Sequence, residues 1–266
     1  QPAGGQMFDI GSSQFIQWDF ADLASAALAS NYVSTTGPAG PYVKGGLTND
    51  ATILFQALQW KIDPDLDPTT NAVVKMQVYA PAEDSDIIVY SEPFTLRGLK
   101  ISSPAPGDNW QLGDTETISF RAAGMGSGAR ADVYYSPDGV NFDTVNPVTN
   151  NMPIADGLNS LSWNIESSRE LSRLPSTNAY IMVVSGTHTN VSKAFTLGGI
   201  KITKPRSGDV LAVSDGTSPI EWTAVNAPGN FDLSFTVWEG TNGPYPYTEG
   251  IATVPAGNSS YVWPMP

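Results

Sequence analysis

Pro104-Ala-Pro-Gly107-Asp-Asn-Trp110-Gln-Leu-Gly113-Asp-Thr-Glu-Thr-Ile118-Ser-Phe120 reads as a turn, a short apolar step, a second turn, and then a strand with alternating inward residues. The same pattern is written twice more. It occurs as Pro2-Ala-Gly-Gly5-Gln-Met-Phe8-Asp-Ile10-Gly11 followed by Phe15-Ile-Gln-Trp18, and as Pro205-Arg-Ser-Gly208-Asp-Val210 followed by Gly216 and Ile220-Glu-Trp222. Trp18, Phe120 and Trp222 are spaced by 102 and 102 residues, and Trp60, Trp163 and Trp263 by 103 and 100. A closing phrase recurs too: Pro93-Phe-Thr-Leu-Arg-Gly-Leu-Lys-Ile101 matches Ala194-Phe-Thr-Leu-Gly-Gly-Ile-Lys-Ile202. A period near 100 residues is too long for a solenoid and suits a β-sandwich.

Within each repeat the strands announce themselves. Thr117–Phe120 and Pro219–Trp222 alternate apolar and polar residues, and Ala131–Tyr135 runs into the turn Ser136-Pro-Asp-Gly139. Leu158–Trp163 places Leu161 and Trp163 on one face. Ala179–Val184 is a fuller apolar run, expected to be covered on both faces, and Phe195–Leu197 closes the second repeat. The first repeat carries matching strands at Ala51–Ile62, Val73–Tyr79 and Ile87–Leu96. The best helix candidate is Asp19–Ala29, with Asp19 or Asp22 as N-cap. The reading is therefore all-β: tandem immunoglobulin-like sandwiches arranged as a rod, at 1–97, 98–198 and 199–266. On this reading the first lacks its opening strand and the third its last two. Gly98 and the pair Gly198-Gly199 are the only linkers, which implies a fixed orientation between neighbours. The recurring Trp18, Phe120, Trp222, Trp60, Trp163 and Trp263 mark the core of each repeat.

The opening phrase, Pro-x-x-Gly…Gly…Ile-x-Trp, resembles the immunoglobulin-like repeats of secreted and surface proteins. These include the Ser/Thr-rich GPI-anchored cell-wall family and the related repeats of large bacterial exoproteins. Tyr135-Ser-Pro-Asp-Gly-Val-Asn-Phe142 is similar to their Tyr-Ser-x-Asp-Gly-Gly-x-x-Trp hairpin, departing at Val140 and Phe142. The resemblance implies a fold and an extracellular or cell-surface setting, as spacer, stalk, wall component or adhesin. It transfers no catalytic residue.

Composition narrows function further. Of 266 residues only 15% are charged, yet the net charge is −13, a balance that repels nucleic acid. No apolar run reaches the roughly 18 residues of a membrane span. With no cysteine, disulfides and thiolate chemistry are excluded, so stability rests on packed cores. His188, the only histidine, lies in Ser185-Gly-Thr-His-Thr-Asn190, read as an exposed hairpin loop. No Gly-x-Ser-x-Gly elbow accompanies it, and no enzyme is expected. Asp63, Asp65 and Asp67 offer oxygen donors at alternate positions and form a candidate calcium loop, though Pro68 and Val74 exclude an EF-hand. Trp238, Tyr245 and Tyr247 fall outside the repeating pattern and are the candidate interaction residues, for carbohydrate or for another copy of the chain. Asn190-Val-Ser192 and Asn258-Ser-Ser260 match glycosylation acceptors. The expected role is structural, as part of a filament, array or wall protein, with partners that are other copies or neighbouring modules, including strand addition at the third repeat. The alternative is a non-catalytic carbohydrate-binding or adhesin module.

Overall fold

The computed structural model describes residues 2–21, 28–47, 51–52, 54, 56–80, 85–165, 173–206, 208–211, 216–227, 229–237, 247–255 and 257–264. The opening turn is built the same way three times. Asp108 N–H bonds back to Ala105 O at 3.1 Å while its carboxylate accepts Ala105 N–H at 2.7 Å. Asp209 does the same with Arg206, at 3.0 and 2.6 Å, and Gln6 with Ala3, at 3.2 and 2.8 Å. Gly5, Gly107 and Gly208 take φ of 76°, 82° and 87° inside these turns, which is why the pattern keeps glycine there.

The first repeat contains β1 (Met7–Asp9), β2 (Ser13–Gln17), β3 (Leu28–Ser34), β4 (Ala51–Thr52), β5 (Ala57–Lys61), β6 (Thr69–Ala80), β7 (Ser85–Tyr90) and the start of β8 (Phe94–Ser103). One of its sheets is β2–β5. The other runs β4–β3–β6–β8, with β7 beside β6 and β1 parallel to β8. The second repeat copies this plan with β9 (Asn109–Gln111), β10 (Thr115–Ala123), β11 (Arg130–Ser136), β12 (Thr149–Pro153), β13 (Gly157–Asn164), β14 (Ser176–Ser185), β15 (His188–Val191) and the start of β16 (Phe195–Lys204). Here β8–β10–β13 faces β12–β11–β14–β16, with β15 on β14 and β9 parallel to β16. The third repeat has β17 (Thr217–Val225), β18 (Phe231–Val237), β19 (Tyr247–Val254) and β20 (Ser260–Pro264), paired β16–β17–β20 and β18–β19. Two antiparallel sheets closed over an apolar interior, with crossovers between them, make the immunoglobulin-like sandwich. The chain is all-β, and no α-helix occurs among the described residues.

Inward residues come from alternate positions on both sheets. In the second repeat Ile118, Phe120 and Trp163 meet Val133, Tyr135, Ile181, Phe195 and Leu197. The rings of Trp110 and Phe195 sit 5.0 Å apart, and those of Tyr135 and Trp163 5.7 Å. Trp60 is fully buried in the first repeat and donates Nε1–H to Gly45 O at 2.8 Å. Trp222 is buried in the third repeat, while Trp18 and Trp263 lie only half-buried at the core margins.

Several local readings change. The helix expected over Asp19–Ala29 is strand at Leu28 and Ala29 and irregular at Asp19 and Phe20; residues 22–27, including Asp22, lie outside the described residues. Ala51–Ile62 is two strands, β4 and β5, rather than one. Ile87–Leu96 is likewise interrupted, with β7 ending at Tyr90 and β8 starting at Phe94. Along β14 the buried residues are Ala179, Ile181, Val183 and Ser185, and Tyr180, Met182 and Val184 are half-buried. That strand has one core face, because nothing in the sandwich stacks on its outer side.

Candidate functional site: the joint between the first two repeats

The closing strand of one repeat and the opening strand of the next are a single strand. In β8, Thr95, Leu96 and Arg97 pair with Met7, Phe8 and Asp9 of β1, and from Gly98 onward the strand pairs with β10 of the second repeat. In β16, Thr196 to Gly198 pair with β9, and from Gly199 onward the strand pairs with β17. A chain that changes partners between adjacent residues has no slack with which to swivel.

Side chains lock the first of these joints. Asp9 ends β1 in parallel register with Arg97, so their side chains project together. Arg97 grips it bidentately, Nε to Oδ1 at 2.5 Å and Nη2 to Oδ2 at 2.9 Å. His188, carried to the same place by the β14–β15 hairpin, sets Nε2 3.1 Å from Asp9 Oδ1. The Arg97 hydrogen bond, and after it that of His188, holds the Asp9 carboxyl down at about 2. Gly124 of the second repeat lies beneath the Arg97 stem. A Cβ there would stand 3.0 Å from Arg97 Cγ and 3.1 Å from Thr95 Cγ2.

A second cluster uses the acidic loop. Leu66 anchors that loop in the core, and Asp63 turns it by accepting Asp65 N–H at 2.8 Å. Lys100, from the second half of β8, reaches Asp67 Oδ1 at 2.8 Å and donates to the Asp65 carbonyl. Lys193 lies 4.0 Å from Asp65 Oδ1. Beside them Ile101 N–H donates to Asn190 Oδ1 at 2.9 Å. These partly exposed ion pairs are each worth about 0–1 kcal/mol. Their value is directional, since they brace two rigid bodies at several points.

The expected sites are redistributed by this geometry. Asp63, Asp65 and Asp67 turn to a backbone N–H and two lysines, and no three His, Asp or Glu side chains among the described residues converge as a metal centre would require. His188 is not an exposed loop residue: its side chain is 24% accessible and wedged against Asp9. A carboxylate clamped by a guanidinium, with its pKa pushed down, is poorly placed to exchange protons in catalysis. The acceptor pair at Asn190 is engaged as well, with Asn190 at the joint and Ser192 buried, its Oγ accepting Ile181 N–H at 3.0 Å. Trp238 and Tyr245 lie outside the described residues. Tyr247 opens β19 in backbone register with Val237. Asp9, Arg97 and Lys100 went unnoticed in the sequence, because charges spread over 91 positions carry no local motif.

The chain matches no family model and no curated protein. Among solved structures it is similar to the ectodomain of the teleost fish polymeric Ig receptor, at 9% identity over 74% of this chain and 98% of that one, with a TM-score of 0.30. It is also similar to the fibronectin(III)-like modules of Clostridium thermocellum CbhA, at 16% identity over 62% and 78%, TM-score 0.22. A third likeness is to a chimeric titin Z1Z2-Z1Z2 tandem, at 10% identity over 73% and 95%, TM-score 0.23. The fold assignment rests on the strand order given above and not on these distant likenesses.

Proposed function

We propose that this chain is a structural segment of an extracellular or cell-surface protein, built of sandwiches at 1–97, 98–198 and 199–266 that stack as a stiff rod and catalyse nothing. The observation that carries the reading is the partner change inside β8 and β16, supported by the Asp9–Arg97–His188 and Asp67–Lys100 contacts. Rigid spacing is what filaments, arrays and wall-associated proteins require of their repeats. The partners are further copies or neighbouring modules. Among the described residues β18 pairs with β19 alone, so its other edge is where an added strand would seat.

Small-angle scattering tests the central point. The chain should give the profile of one extended body. Inserting a Gly-Ser linker between Gly98 and Leu99 should broaden its distance distribution while each sandwich stays folded. A native chain as flexible as the linker variant would refute the proposal.

A further inference from the structure

The outer face of β3–β6–β7 in the first repeat carries a feature the fold does not need. Tyr32 is in register with Lys75, and Lys75 with Tyr90, so the three form one row across adjacent strands. Val33, beside Tyr32, and Val74 and Met76, on either side of Lys75, are buried, and Tyr90 is itself exposed, which puts the row on the solvent side. Tyr42 joins from the following loop, with its hydroxyl tied to Pro38 O at 2.7 Å and its ring 6.1 Å from that of Tyr90. Lys75 Nζ lies 4.6 Å from the Tyr32 ring centroid and 4.8 Å from that of Tyr42, and Lys44 Nζ lies 3.7 Å from the Tyr32 centroid.

Two ammonium groups thus share one ring, and among the described residues no carboxylate stands within 4.0 Å of either. In a protein of net charge −13 this is a local inversion of sign. Lys44 Nζ is sealed from solvent without a hydrogen-bond partner among the described residues, so its charge acts from beneath the ring, while Lys75 is half-buried. Tyr90 is 54% exposed. In the second repeat the same positions hold Tyr134, Met182 and Val191, a neutral row on the same backbone.

We propose that Tyr32, Tyr42, Tyr90, Lys44 and Lys75 form a binding site for an acidic oligosaccharide of uronic acid type. The exposed Tyr90 ring presents a flat face to the C–H side of a sugar and its hydroxyl to the rim, and Lys75 meets the carboxylate. The acidic remainder of the chain repels densely charged polyanions, so a ligand with one carboxylate per sugar fits better than a nucleic acid or a sulfated glycan. The site stands independently of the rod reading, since neither the joint residues nor β16 contribute to it.

Calorimetry with a galacturonic acid trimer, its methyl ester and a glutamate-rich peptide tests the site on the full chain. The acid should bind, the ester should bind at least about tenfold more weakly, and binding should weaken as NaCl rises. Lys75→Gln and Tyr90→Ala should each reduce affinity for the acid at least about tenfold with unchanged circular dichroism, while Val191→Ala in the second repeat should not. The proposal is overturned if the trimer fails to bind, if acid and ester bind alike, if Lys75→Gln binds as the native chain does, or if only the peptide binds.

Discussion

Replacing Asn31 by valine should stabilise the first sandwich. Asn31 lies on β3 opposite Met76, pointing inward between the buried Ala29 and Val33, and is 0% exposed. Neither Oδ1 nor Nδ2 has a hydrogen-bond partner among the described residues. The residue 102 positions later, Val133, occupies the same place on β11, is likewise 0% exposed, and faces Val183. The second repeat therefore shows what the backbone accepts there. An orphaned buried polar group costs about 1–3 kcal/mol, and valine both removes it and favours strand geometry. For a sandwich of this size each kcal/mol corresponds to roughly 4–8 °C in the unfolding midpoint, so the first transition should rise by about 4–24 °C. Differential scanning calorimetry of the full chain would resolve it. The reciprocal change Val133→Asn should lower the second transition by a comparable amount. A lower midpoint in Asn31→Val would instead mean that a partner in solution holds the amide.

Acid should loosen the joint. Asp9 is depressed to about 2 from 3.8, so its contribution is present above pH 4 and is lost as the pH falls toward 2. Between those limits the native chain should lose more stability than Asp9→Asn, as read by guanidinium unfolding; equal losses would remove Asp9 from the joint. Trp60→Phe keeps an aromatic side chain but removes the five-membered ring that carries the Nε1–H bond to Gly45 O, and should cost the first sandwich at least about 1–3 kcal/mol in a denaturant titration. A cost near zero would mean that the Nε1–H bond to Gly45 O adds nothing to the first sandwich.

The sandwich was legible because its devices are local. The Pro-x-x-Gly turn closes within four residues through Asp108, Asp209 or Gln6, and the apolar alternation of β10 and β17 follows from the pleat. Ser136-Pro-Asp-Gly139 is equally self-contained. Asp138 accepts the N–H groups of Asn141 and Val140 along with the Asn141 amide and the Ser136 hydroxyl, which hold its carboxyl far below the usual range. Asp19–Ala29 was misread at its end, because small apolar residues suit a helix until tertiary pairing with Val78 and Tyr79 claims Ala29 and Leu28 for a strand.

The repeat, its period, the all-β class and the residues that alternate toward a core are written in neighbouring residues, since turns and pleats are local. What the polar residues do depends on the packed fold. It brought Asp9, Arg97 and His188 to one point, turned Asp65 and Asp67 toward lysines, and lined up Tyr32, Lys75 and Tyr90 across three strands. Those encounters depend on strand register and on the continuity of β8 across two repeats, and register is set by pairing between segments far apart in the chain.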